Sequence, residues 1–293
     1  MKISCLLALT HDPYLALYSK MLYDLYWKDE IDEIHIHING KQKFISDFIK
    51  KLWEGEAKQI IVKNESCGQG EAFNELYPNV DGDILMTIDS DNFIYKKGVV
   101  EKYADRIRSG EYDYIGPHKP FMSFWNKNIL DTIDVDFREH HFQKGDKIKG
   151  YSDCMDSYKF LDVMELLSMR FSQKTDKILE TPIDDLPEHE HIGRSSPFIN
   201  FLGDYPKEKT VDDIMNNRGV LKSMIRLNRV SYVYYIFRQT KKYFPYKHYN
   251  DYYERMFEFI MNIIGYNLEM ITRVIGKRIK IKLPPELNEK ENL

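Results

Sequence analysis

Apolar residues follow two rhythms along this chain. Over the first ninety residues, short unbroken apolar runs alternate with amphipathic stretches. The runs at 3–9, 34–38, 59–62 and 84–88 read as strands buried on both faces. Between them, stretches at about 13–27, about 42–53 and from about 71 carry apolar residues at three- and four-residue spacing and predict helices. Asp12 is placed to cap the first helix, and Asn39-Gly40 ends the second strand. Strands alternating with helices predict a mostly parallel sheet with helices on both faces. After residue 95 the rhythm changes. A helix near 97–109, a strand at 112–115 and an apolar stretch at 122–125 lead to a polar loop, 134–150. A further helix is expected to begin near Asp153 or Asp156. Residues 195–205 read as a loop, and helical spacing then dominates: Val230, Val233, Tyr234 and Phe237 share one face, and Tyr253, Met256, Phe257, Ile260 and Ile264 another. The pattern divides the chain into an α/β domain, 1–204, and a helical extension, 205–293.

Composition fits that division. With 43% hydrophobic and 30% charged residues, the chain reads as a globular protein with a full core. No run approaches the roughly 18 apolar residues of a membrane helix, and 3–9 is too short for a secretory core, so a cytoplasmic protein is expected. Three distant cysteines, Cys5, Cys67 and Cys154, fit neither a disulfide framework nor a zinc ribbon. Charge is uneven: the first 204 residues carry a net −11 and the remainder +7. The tail is therefore suited to something anionic and the first part to cations, unless the two attract each other.

The fourth strand raises a chemical question, because it ends on two acids one residue apart, Asp89 and Asp91, in "DILMTIDSDNFIY". Acids at the end of a buried strand want a partner, and a divalent cation is one. In parallel α/β sheets ligands bind beyond the carboxyl ends of the strands. Thr10, Asn39-Gly40, Gly68-Gln69-Gly70 and Asp89-Ser90-Asp91 all stand at such ends.

In this setting the chain resembles the nucleotide-sugar-dependent glycosyltransferases of the GT-A fold, the family-2 type above all. The matching pieces are "ISCLLALTHDPYLALYSKMLYDLY", "EIHIHING", "GQGEAFNELYPNVDGDILMTIDSDNFIY" and "YSDCMDSYKFL". The likeness spans roughly residues 1–204 and lies in order and spacing more than in identity. It implies a GT-A sheet, mixed but mostly parallel, with the helical extension following it. It also implies Mn2+ or Mg2+ and a nucleotide-sugar donor, a UDP-sugar first. Asp91 would be the direct metal ligand, and Asp89 would face the ribose or a metal-bound water. In "PEHEHIGR", His189 and His191 fall on the same side of an extended segment, so either can complete the metal shell. Arg194 would hold a phosphate. Thr10 and Asn39 stand at the base-contact positions; Asn39 replaces the usual aspartate, which leaves the base open. Gln69, Gly70 and Asn74 would line the same pocket. In "GYSDCMDSY", Ser152 replaces the first acid of the family's pair, so Asp153 and then Asp156 are the candidates for the base of an inverting transfer. The other histidines are weaker candidates, and His35 and His37, alternating with isoleucines, read as a half-exposed strand face.

The acceptor is addressed only by the basic, Tyr-rich tail. Lys222, Arg226 and Arg229 lie on one predicted helix, followed by Arg238, Lys241 and Lys242 and by a basic terminus. Such a surface suits DNA, where hydroxymethylated pyrimidines offer acceptor hydroxyls, or an anionic membrane bearing a lipid- or protein-linked glycan. It is equally the solvated side of a helical subdomain. Two other functions use a similar sheet or surface: a nucleotidyltransferase and a binding module without catalysis. The first normally has a Gly-rich basic loop after its first strand, absent from "ALTHDPYLALY". The second has no need of aligned acids at 89, 91 and 153.

Overall fold

The computed structural model describes residues 1–10, 12–65, 67–117, 122–147, 149, 159–181, 189–191, 201–202, 205, 207, 209–217 and 227–263. They fall into two compact units, Met1–His191 and Ile192–Leu293.

The first unit is built on a seven-stranded sheet. Strands β1 (Ile3–Leu9), β2 (Glu33–Asn39), β3 (Gln59–Lys63) and β4 (Ile84–Asp89) run parallel. A three-residue strand, β5 (Asn92–Ile94), comes directly after β4, and β6 (Tyr114–Gly116) and β7 (Met122–Asn126) extend the sheet. Two more hairpin strands, β8 (His140–Phe142) and β9 (Lys159–Leu161), pair with each other, and β10 (Ile178–Glu180) forms the far edge. The order is β10-β6-β7-β4-β1-β2-β3, with only β7 antiparallel to its neighbours. This is the mixed, mostly parallel α/β sheet that the apolar runs and the resemblance led us to expect.

All seven residues of β1 are buried, because helices cover both faces of the sheet. Helix α1 (Pro13–Leu22) starts where Asp12 accepts hydrogen bonds from the Tyr14 and Leu15 amides at 3.0 and 2.7 Å. It does not run on as an α-helix to Trp27; Tyr23–Trp27 widens into a π-helical turn. Helices α2 (Lys43–Trp53), α3 (Gln69–Leu76), α4 (Val99–Arg108) and the short α5 (Lys127–Leu130) come next, then α6 (Glu165–Ser172). On one face, Leu6, Ala8 and Leu85 pack with Phe73 and Leu76 of α3, Leu167 and Phe171 of α6, and Phe137 between them.

His35 and His37 correct a sequence expectation. Both are fully buried, not half-exposed, because each has an acidic partner: His35 Nε2 lies 3.1 Å from Glu33 Oε1, and His37 Nε2 lies 3.1 Å from Glu75 Oε2. His35 Nδ1 meets Gln59 Oε1 at 3.1 Å. Glu33 is the hub at this amino edge of the sheet. It accepts from Ser4 Oγ, from the Asp81 amide at 3.0 Å and from Lys58 Nζ at 2.6 Å. Burial pushes its carboxyl up, but the bonds from Lys58, Ser4 and Asp81 outweigh burial and lower it to about 2. A carboxylate depressed in the folded state stabilises the fold above its unfolded pKa and loses that contribution as pH falls through the folded one. Glu33→Gln is therefore expected to cost on the order of 1–3 kcal/mol at neutral pH. Urea midpoints of parent and variant should converge between about pH 4.5 and 2. A gap that stays constant over that range would remove Glu33 from the account of acid stability.

In the second unit, α7 (Val211–Asn216) opens on a capping box between Thr210 and Asp213. Helices α8 (Leu227–Thr240) and α9 (Lys247–Ile263) pack through rings: Tyr234 and Phe257 lie 5.0 Å apart, and Phe237 and Tyr253 5.2 Å. The predicted faces are buried as expected, with Ile264 outside the described residues.

Candidate active site

Parallel alignment of β1 to β4 puts their carboxyl ends on one edge. Register makes this specific: Ala8 of β1 sits beside Asp89 of β4, Leu9 beside Ile38 of β2, and Asn39 beside Lys63 of β3. Thr10, Asn39, Lys63 and Asp89 therefore occupy adjacent strand ends.

Asp89 is half-buried, and one of its oxygens accepts the Ser90 amide at 2.7 Å. Asp91 lies deeper, only 3% exposed. A carboxylate held there is costly without compensation, which fits a cation or strong donors beside it. Among the described residues no group of three or more His, Cys, Asp or Glu is gathered closely enough to hold a metal. Two carboxylates suit a cation that takes its remaining ligands from phosphate oxygens and water, as Mg2+ commonly does.

The segment bearing the histidine pair reaches this edge through its backbone. His189–His191 form β11, antiparallel to β5, with His191 opposite Asn92 and His189 opposite Ile94. The chain carrying both histidines thus runs beside the residues just past Asp91. Arg194, Asp153 and Asp156 lie outside the described residues.

On the other side of the edge, the candidate pocket residues divide by what their side chains already do. Thr10 Oγ1 and Gln69 Nε2 are buried polar atoms with no hydrogen-bond partner, and such atoms are normally satisfied. Asn39 is engaged with the loop after β3, donating to Cys67 O at 3.3 Å and accepting from Cys67 Sγ at 2.9 Å. Asn74 is engaged as well: its Nδ2 donates to Asp136 Oδ1 at 2.9 Å and its Oδ1 accepts the Phe137 amide at 3.0 Å. Gly70 is a packing glycine, since a Cβ there would run into the backbone of Phe137 and Arg138. Below them His37, Glu75 and Lys63 form a chain of contacts. Burial lowers the His37 pKa although Glu75 opposes it.

Two groups escaped the sequence reading. The first is the Asp136-Arg138 pair, in which Arg138 Nε and Nη2 donate to the carboxylate at 2.9 and 2.8 Å. Burial pushes Asp136 up, but Arg138 and Asn74 outweigh it and hold the carboxyl well below the usual range. The second is the start of α6. The helix expected from near Asp153 or Asp156 does not run on through 159–161, which is strand, and the described helix begins at Glu165. Glu165 reaches back to the Asp162 amide at 2.9 Å. Met164 between them has a left-handed φ of 68° and sets its sulfur 3.9 Å from Thr87 Oγ1, two residues before Asp89. An acid three residues ahead of a glutamate and an apolar run is a helix-start signature, and "DVMELL" carried it.

No family model and no curated protein matches the chain. Solved structures do. The mannosyltransferase PcManGT from Pyrobaculum calidifontis, in complex with GDP-Man and Mn2+, is 7% identical over 94% of this chain and 85% of its own, with a TM-score of 0.47. S. aureus TarS in complex with UDP is 15% identical over 47% of this chain, with a TM-score of 0.39, and the match spans half the length of that chain. Glucosyl-3-phosphoglycerate synthase from Mycobacterium tuberculosis, with Mn2+, UDP-Glc and phosphoglyceric acid, is 14% identical over 45% of this chain and 59% of its own, with a TM-score of 0.36. These likenesses are distant.

Proposed function

We propose that this chain is a metal-dependent glycosyltransferase that moves a sugar from a nucleotide-sugar donor, a UDP-sugar first, to an acceptor hydroxyl with inversion. One observation carries the reading. Neighbouring parallel strands end side by side on a buried, unpartnered Thr10 hydroxyl and on the acids Asp89 and Asp91. Asp91 would hold Mn2+ or Mg2+, with Asp89 toward the ribose or a bound water and His189 or His191 as a further ligand. When bound, the cation supplies charge stabilisation for the departing pyrophosphate. Thr10, Asn39, Gln69, Gly70 and Asn74 frame the nucleotide, the engaged side chains of Asn39 and Asn74 by fixing the surrounding loops. Arg194 neutralises a phosphate. A carboxylate takes the acceptor's proton: Asp153 first, then Asp156, with Asp162 added by the position of the helix start.

The test is thermal unfolding against a panel of sugar nucleotides, with and without manganese. A donor that raises Tm only when metal is present supports the reading. A response to nucleoside triphosphates alone would favour a nucleotidyltransferase, and silence throughout would sink it. Acceptors are sought by mass spectrometry of hydroxymethylated DNA and of glycan probes incubated with the active donor. Of the cations proposed to grip an anionic acceptor, Arg238 and Lys241 already share Glu254, at 3.2 and 2.9 Å. Among the described residues no helix is long and apolar enough to cross a membrane.

A further inference from the structure

The chain between Lys149 and Arg170 contains every carboxylate proposed above as proton acceptor, and helix α6 closes that stretch on itself. The side chain of Arg170, only 5% exposed, donates from Nε to Lys149 O at 2.8 Å and from Nη1 to Asp134 O at 2.7 Å. Its Nη2 lies 3.5 Å from Asp134 Oδ2, which Lys149 Nζ approaches at 3.2 Å. One guanidinium therefore ties both ends of the 134–149 loop to the helix. From the other side Asn74 grips Asp136 and Phe137, and Phe137 O accepts the Met164 amide at 3.0 Å. The loop is braced between the helix that begins at Gln69 and the helix start that carries Asp162.

A buried guanidinium is an expensive way to pack a helix. An apolar side chain of similar volume commonly stabilises as well or better. What the arginine adds is direction: a rigid fork reaches two carbonyls that are distant in sequence, and no methionine or leucine does so. We propose that Arg170 is a positioning residue for sugar transfer, fixing the 134–149 loop against the helix start that carries Asp162. The proposal rests on the glycosyltransferase reading. Misplacing a reacting group by about 1 Å costs on the order of a hundredfold in rate. Loss of the brace should thus appear in turnover, while Asn74 keeps its own grip on Asp136 and Phe137 and donor binding is kept.

The experiment compares the parent with Arg170→Met and Arg170→Lys in donor affinity, turnover and amide hydrogen exchange. Arg170→Met is expected to bind the stabilising donor within about twofold of the parent and to turn over at least about tenfold more slowly. Exchange should accelerate in 134–149 while β1 to β4 keep their protection. Parent-like turnover, or affinity and turnover falling in proportion, would overturn the proposal. So would unchanged exchange in the loop. If Arg170→Met does not fold, Arg170→Lys decides: its single ammonium cannot span both carbonyls, and full turnover there would equally overturn it. A parent chain that binds and consumes no donor fails the glycosyltransferase reading itself, and the catalytic part of this proposal falls with it. The exchange comparison then still reports whether Arg170 holds the loop.

Discussion

Asp91→Asn is expected to lower metal-dependent donor turnover by at least about a hundredfold while leaving the chain folded. Asparagine keeps the shape of a side chain that is almost wholly buried, so the substitution removes a charge and little packing. Alanine would leave a hole as well and would confound the two effects. Donor consumption is measured on chelator-treated protein with manganese restored, alongside the manganese dependence of thermal unfolding. The variant should lose both. Parent-like turnover with restored manganese would remove Asp91 from the metal site and leave the acid pair as a structural end to β4.

The second large effect concerns the proton. Loss of a general base costs roughly a hundredfold to ten-thousandfold, so one of Asp153→Asn, Asp156→Asn and Asp162→Asn should lower turnover by at least about a hundredfold with donor affinity kept. Asp153 is the first expectation. A loss confined to Asp162→Asn would move the base to the start of α6, where the Met164 sulfur lies 3.9 Å from Thr87 Oγ1. Full activity in all three would point to retention of configuration, in which this base has no part.

The main strands were legible because burial on both faces leaves a continuous apolar run. β1 is found at the expected residues, β2 is one residue longer at each end, and β3 and β4 are one residue longer at their carboxyl ends. Of the three-residue strands, only β6 was anticipated, by the run at 112–115. β5, β8, β9, β10 and β11 have three residues each, too few for a period, and exist because distant chain pairs with them. His35 and His37 were misread because a polar residue in an apolar run signals exposure unless its partner is known. Glu75 is 38 residues from His37, and nothing local announces it. The helix start expected near Asp153 or Asp156 lies outside the described residues, and α6 went unseen because the turn into it passes through Met164 in a conformation that its side chain does not favour. The acid pair itself needed no partner to be seen.

The pairing of β11 with β5 carries a consequence for the order in which the site is made. These strands are roughly a hundred residues apart in the chain, so closing that loop costs entropy that three residue pairs hardly repay by themselves. The sheet must already stand before the ribbon holds. Asp89 is thus set early by its place beside Ala8 of β1, whereas the histidine segment pairs later. A nascent chain can pair β1 to β4, with Asp89 in place beside Ala8, before residues 189–191 are available to pair with β5.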